Sequence, residues 1–213
     1  MPYKEKSHYD EFQLITNIAQ NSGIPKIIID EATRLHKKIS ETKTYRGLNR
    51  DGIISASIYI SCRIHNHPRT AKEIATIFNL DNSSATKGCK NALSIINDID
   101  YTFNDDILTL NKTSPVDFIE RFCSKLNINQ ELTKLCKFVA MKIEENNINS
   151  ENTPHSIAGG IIYFVSQICN LNITKTAINN ISKISEVTIN KCYKKLEQHR
   201  EILIPKIILD KYN

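Results

Sequence analysis

From Asn49 to Thr70, NRDGIISASIYISCRIHNHPRT, apolar residues go round every side of a helical wheel, and the polar interruptions are small: Ser55, Ser57 and Ser61. That pattern predicts a helix buried on all sides. A shift of 104 residues, Ile53 onto Ile157, lays Thr153 to Thr174, TPHSIAGGIIYFVSQICNLNIT, on the same pattern without a gap. Ala56 falls on Gly160, Ile58 on Ile162 and Tyr59 on Tyr163, and the small residues Gly159 and Ser166 again interrupt the apolar run. Small side chains let neighbouring helices approach closely. Each copy reads as the central helix of its own helical domain.

The flanking segments carry one-sided apolar stripes. DEFQLITNIAQ, from Asp10, places Phe12, Leu14, Ile15, Ile18 and Ala19 on one face of a short helix that ends at Ser22 and Gly23. Pro25 opens a second helix with the stripe Ile28, Ala32, Leu35 and Ile39. After the basic loop ETKTYRGLNR and the central helix, Pro68 ends the run, RTAKEIATIF forms a short fourth helix, and SSATKGCKNALSIIND forms a fifth beyond a turn at Asn79 to Asn82. Thr70 and Glu73 have the spacing of a capping box. The same shift pairs Ile15 with Ile119, Ile24 with Ile128, Leu35 with Val139, Ile39 with Ile143, Ile74 with Ile178, Lys87 with Lys191 and Lys90 with Lys194. A gapless match over about 90 positions is a domain duplication, because solenoid periods are shorter. The predicted class is all-α: a first five-helix repeat over 1–97, a linker over 98–112, a second repeat over 113–200 that ends in a helix-turn-helix, and a tail over 201–213. Ile99, Tyr101, Phe103, Ile107 and Leu110 suggest that the linker packs against the domains.

Length and composition agree with this division. The 213 residues suit two domains of ordinary size, and 40% hydrophobic residues supply two cores. There is no apolar run of about 18 residues and no apolar core of a signal peptide, so the expectation is an intracellular chain without a membrane span. Six cysteines (Cys62, Cys89, Cys123, Cys136, Cys169, Cys192) fall in predicted helices without a C-x-x-C pair, which points to reduced thiols in or near the cores. Heavy use of isoleucine, asparagine and lysine reads as an AT-rich coding genome. Net charge of +5 and a pI near 8.8 lean toward a polyanionic partner.

The strongest chemical motif is TKTAINNISKISEVTINKCYKKLEQH. Thr174 caps a short helix with Ala177, Ile178 and Ile181 inside, a tight turn follows at Lys183 and Ile184, and Ser185 caps a second helix. This is helix-turn-helix logic: the second helix carries Val187, Thr188, Asn190, Lys191, Lys194 and Lys195, its first turn is expected to be presented to the major groove, and its lysines are placed for phosphates. In the first repeat Arg46, Gly47 and Arg50 precede the central helix, Arg69 and Lys72 follow it, and Lys87 and Lys90 occupy the fifth helix; all are candidate DNA contacts. Catalytic candidates are weak. Cys62, His65 and His67 have a C-x2-H-x-H spacing, but the triplet ends a helix before Pro68, and His155 beside Ser156 reads as a first helical turn. Asp105-Asp106 lacks a partner group and no glycine-rich phosphate loop is present. No enzyme, cofactor or metal is expected.

RGLNRDGIISASIYISCR followed by PRTAKEIA resembles the first cyclin-like repeat of the transcription factor IIB family. DFIERFCSKL, TPHSIAGGIIYFVSQ and SEVTINKCYKKL resemble the second at the same spacing. The resemblance implies two tandem cyclin-like domains that clamp TATA-binding protein on bent promoter DNA and connect it to an RNA polymerase of the RNA polymerase II type, the chain acting as a monomer. It also implies work in the nucleus of a eukaryote, or in the cytoplasm for an archaeal or cytoplasmic viral protein. In the family a valine and an arginine of a V-T-I-R segment read an upstream element; here Val187-Thr188-Ile189 is followed by Asn190, which suits adenine where arginine suits guanine. The family's K-G-R loop stands as Arg46-Gly47-Leu48, with Arg50 two residues on, and the first repeat's turn (Asn79, Asn82, Ser83, Ser84) is poorer in basic residues. Full-length members begin with a zinc ribbon and linker. This sequence starts at the first repeat, as the core of a longer chain or as a shortened member with impaired polymerase recruitment. The alternative reading is a cyclin-type regulatory subunit that binds and activates a protein kinase.

Overall fold

The computed structural model describes residues 3–99, 113–148 and 151–212, and every regular element among them is helical. The chain divides into two compact units, Met1–Lys112 and Thr113–Asn213. The first holds α1 (Tyr3–Asn21), α2 (Lys26–Thr42), α3 (Leu48–Ile64), α4 (Ala71–Ile77) and α5 (Asn82–Ile99). The second holds α6 (Val116–Lys125), α7 (Gln130–Glu145), α8 (Pro154–Ile168), α9 (Lys175–Ser182), α10 (Glu186–Glu197), α11 (Arg200–Leu203) and α12 (Lys206–Tyr212). The segment expected to pack between the repeats, with Tyr101, Phe103, Ile107 and Leu110, lies outside the described residues.

Helices α3 and α8 are the central struts that the apolar pattern predicts. Ten residues of α3 from Gly52 to Cys62 are buried, and in α8 burial covers Ser156 to Ile162 and continues through Phe164, Val165, Ser166 and Ile168. Buried hydroxyls are satisfied within the helix itself: Ser55 donates to Gly52 O at 2.8 Å, Ser57 to Ile53 O at 3.1 Å, Ser61 to Ser57 O at 2.8 Å and Ser166 to Tyr163 O at 2.7 Å. A short side chain that bonds back to its own helix carries no unpaired polar group into the core.

Small residues set how closely the helices pack. A Cβ on Gly88 of α5 would lie 2.1 Å from the Gly52 carbonyl oxygen of α3, and one on Gly52 would lie 2.8 Å from Ser84 O. In the second unit a Cβ on Gly160 would fall 2.4 Å from Cys192 Cβ. Gly88 and Cys192 correspond under the 104-residue shift, so the fifth helix of each repeat rests on its strut through the same position.

Two boundaries differ from the sequence expectation. Helix α1 begins at Tyr3, well before Asp10. The segment read as a tail forms α11 and α12, and Leu203 and Ile204 are buried in the second core. All six cysteines are free thiols, five of them buried and Cys89 partly so. Burial pushes the Cys89 thiol up to about 11.

Candidate nucleic-acid interface

The end of the second repeat is built by local hydrogen bonds that the sequence announces. Thr174 Oγ1 accepts from Ala177 N at 3.1 Å and caps α9. At the other end Lys183 takes the left-handed conformation, φ 59°, and donates its N–H to Asn179 O at 2.8 Å. The turn is pinned again by Asn179 Nδ2 donating to Ile184 O at 2.7 Å and by the Ser182 hydroxyl, which donates to Ile178 O and accepts from Ile184 N. Ser185 Oγ then accepts from Thr188 N at 3.2 Å and starts α10. Ile189, Cys192 and Leu196 form the inner face of α10.

The helical period carries Val187, Asn190, Lys191 and Lys194 to the opposite face. Val187 is 65% exposed, an unusual setting for a branched apolar side chain, and Lys191 and Lys194 are exposed beside it. Thr188 is half-buried against the Ser185 cap, its hydroxyl 2.8 Å from Ser185 Oγ. Lys195 sits apart from this ridge and pairs with Glu151 at 3.2 Å.

Two contacts of the helix pair are not visible in the sequence. Lys175 Nζ, from the first turn of α9, donates to Asn190 Oδ1 at 2.7 Å and lies 5.1 Å from the centroid of the Tyr163 ring on α8. Thr176 Oγ1 donates to Glu186 Oε1 at 2.8 Å, tying the starts of α9 and α10 together. Lys175 was not among the expected DNA contacts, because its sequence neighbours mark only a cap; its partner lies 15 residues on.

The first repeat places its candidates less uniformly. Arg46 and Gly47 are exposed, and Gly47 caps α3 with φ 55°, a left-handed backbone that favours glycine. Arg50 is half-exposed and lies 3.9 Å from Glu11 and 3.5 Å from Asp51, so part of its charge is balanced within the chain. Arg69 is only 8% exposed and does not belong to an open cationic surface; it lies directly before the capping box, in which Glu73 N bonds Thr70 Oγ1 at 3.1 Å and Thr70 N bonds Glu73 at 2.9 Å. Lys72, Lys87 and Lys90 are exposed. At the start of α5 Asp81 accepts from Ser84 N at 2.8 Å and Ser84 Oγ at 2.6 Å, which holds its carboxyl below the usual value. A fixed carboxylate there disfavours phosphate; the second repeat has the uncharged Ser185 at the corresponding cap, followed by Glu186 bonded to Thr176. Of the C-x2-H-x-H triplet, Cys62 is fully buried and His67 exposed, and among the described residues no three His, Cys, Asp or Glu side chains are grouped to hold a metal ion.

The fold and this site define a class: a duplicated helical repeat whose second copy ends in a capped helix-turn-helix with a cationic ridge. Residues 4–93 and 108–199 each match the Transcription factor TFIIB repeat, and the chain belongs to that family. A transcription initiation factor IIB-like protein of Acanthamoeba polyphaga mimivirus is 38% identical over 95% of this chain and 46% of its own length. Transcription initiation factors IIB of Dictyostelium discoideum and Oryza sativa subsp. japonica are 32% and 30% identical, each over 91% of this chain and over 57% and 61% of their own lengths. The chain thus spans about half to three-fifths of these relatives. Among solved structures, a viral cyclin from herpesvirus saimiri superposes with a TM-score of 0.39 at 14% identity, over 92% of this chain and 86% of that one, too distant to inform function.

Proposed function

We propose that this chain is the repeat core of a transcription initiation factor of the IIB type, which docks on promoter DNA held by TATA-binding protein and links that complex to an RNA polymerase. The observation that carries this reading is the α9–α10 pair, whose outer face presents Val187, Asn190, Lys191 and Lys194 while its inner face is anchored on α8. Lysines on an exposed ridge neutralise phosphates, and the side chains between them reach base edges. The loop at Arg46 and Gly47 is the second contact, where glycine leaves room for a close backbone approach and arginine forks onto phosphate. The relatives' names agree with this role, and nothing in it calls for catalysis.

The reading is tested by gel shift of TATA-containing duplex with TATA-binding protein, with and without this chain. A slower-migrating complex that appears on adding the chain, and weakens steadily as salt rises, is the expected result, since each phosphate contact releases counterions. Absence of that complex at low salt contradicts it.

A further inference from the structure

Cys123 of α6 and Cys136 of α7 meet in the second core, both fully buried, and their thiols are hydrogen-bonded to each other. The 104-residue shift lays them on Ala19 of α1 and Ala32 of α2, which are also fully buried. A methyl group on each helix is therefore enough to pack this contact in the first repeat. The second repeat carries sulfur on both sides of it, beyond what the fold requires. Over the pair the two helices are held together by Lys137, next to Cys136, which bonds Glu120, one turn before Cys123, and by Ser114 Oγ, which donates to Glu144 at 2.7 Å. The pair is asymmetric. The hydrogen bond with Cys136 lowers the Cys123 thiol from its ordinary value in spite of burial, while the same bond and burial hold the Cys136 proton well above the usual thiol range. Burial alone pushes the Cys89 and Cys169 thiols up.

We propose that Cys123 and Cys136 are a modification site at which a hydroperoxide forms a disulfide that ties α6 to α7. The Cys123 thiolate attacks one peroxide oxygen and the O–O bond breaks, giving a sulfenic acid and a hydroxide ion, which takes up the proton that Cys123 gave up. The Cys136 sulfur then displaces the sulfenic hydroxyl, which leaves as water with the Cys136 proton. Two thiols and one peroxide become one disulfide and two waters. The neighbouring thiol that supplies the hydrogen bond is the one that resolves the sulfenic acid, so oxidation stops at the disulfide. Helix α6 has 10 residues and is the first helix of its unit, a place where local opening costs less than unfolding of the domain and admits a small oxidant. The site is independent of the DNA-docking reading.

The test is to treat the reduced full chain with hydrogen peroxide, alkylate the remaining thiols after unfolding, and map tryptic peptides by mass spectrometry. Cleavage after Arg121, Lys125, Lys134 and Lys137 puts the two cysteines on separate peptides, 122–125 and 135–137. The expected result is that these two appear joined, lighter by two hydrogens than their sum, while Cys62, Cys89, Cys169 and Cys192 are recovered alkylated. Dithiothreitol should separate the joined peptides again. Cys123→Ala and Cys136→Ala, which restore the alanines of the first repeat, should each abolish the joined product, and Cys169→Ala should leave it unchanged. Both peptides recovered alkylated and unjoined, sulfinic or sulfonic acid at Cys123 in place of the disulfide, or a disulfide that uses Cys169 overturns the proposal. The mapping uses the unaltered chain, so it decides the matter even if a substitution disturbs folding.

Discussion

Five asparagines, Asn66, Asn79, Asn127, Asn147 and Asn170, have φ between 52° and 56° and follow the ends of α3, α4, α6, α7 and α8. Each closes its helix with the same pair of bonds, as when Asn127 N donates to Ser124 O at 3.1 Å and Ile128 N to Cys123 O at 3.0 Å. Composition alone reads the abundance of asparagine as genome bias, because a residue count holds no backbone angle. The structure shows its use: asparagine takes the left-handed position that glycine takes at Gly23, the counterpart of Asn127 under the duplication. Asn127→Gly should therefore stabilise the second repeat by about 1 kcal/mol and Asn127→Val destabilise it by at least as much, read as opposite shifts in the thermal midpoint. A second residue-scale prediction concerns Cys89. With its thiol raised from 9.0 to about 11 by burial, the thiolate at pH 8 is about a hundredfold scarcer than for an exposed cysteine. Alkylation by iodoacetamide should be slow at pH 8, rise through pH 9 to 11, and become fast at pH 8 once the chain is unfolded.

At the scale of elements, what the sequence announced was whatever depends on near neighbours. The caps at Thr70, Thr174 and Ser185, the turn at Lys183 and the fully buried struts α3 and α8 are written in local pattern, and the structure has them in place. Distant contacts were not legible: the meeting of Lys175 with Asn190, the withdrawal of Arg69, and the seating of Leu203 and Ile204 in a core from a short segment divided by Pro205. The approach of α5 to α3 lies between these cases, since small residues hint at it but only the fold pairs Gly52 with Gly88. Gly88→Ala forces its Cβ onto the Gly52 carbonyl, a backbone atom that cannot swing aside. It should destabilise the first repeat by about 3 kcal/mol or more, measured by urea denaturation. Gly23→Ala meets no atom within 4 Å and should lose only the left-handed preference, about 1 kcal/mol.

For the whole molecule the duplication was the most legible feature, because two cores of one design leave the same apolar register 104 residues apart, as Ile53 and Ile157 do. The match of both halves to one family repeat agrees with it. Divergence between the halves matters more for function: both fifth helices start beside a carboxylate, Asp81 bonded to Ser84 and Glu186 bonded to Thr176, but the exposed first turn carries Val187 in α10 where α5 has Ser83, and Lys191 and Lys194 stand on the same face as Val187. DNA contact by a fifth helix should then fall mainly to α10, and charge reversal at Lys87 and Lys90 should weaken the promoter complex less than reversal at Lys191 and Lys194. The most direct measurement is the salt dependence of the complex with TATA-binding protein and promoter duplex, compared between the unaltered chain and a Lys191→Glu, Lys194→Glu double variant. The expected result is weaker binding on every duplex sequence and a slope of log affinity against log salt shallower by about 2, one for each lost phosphate contact. Equal affinity and an unchanged slope would contradict the placement of α10 on DNA.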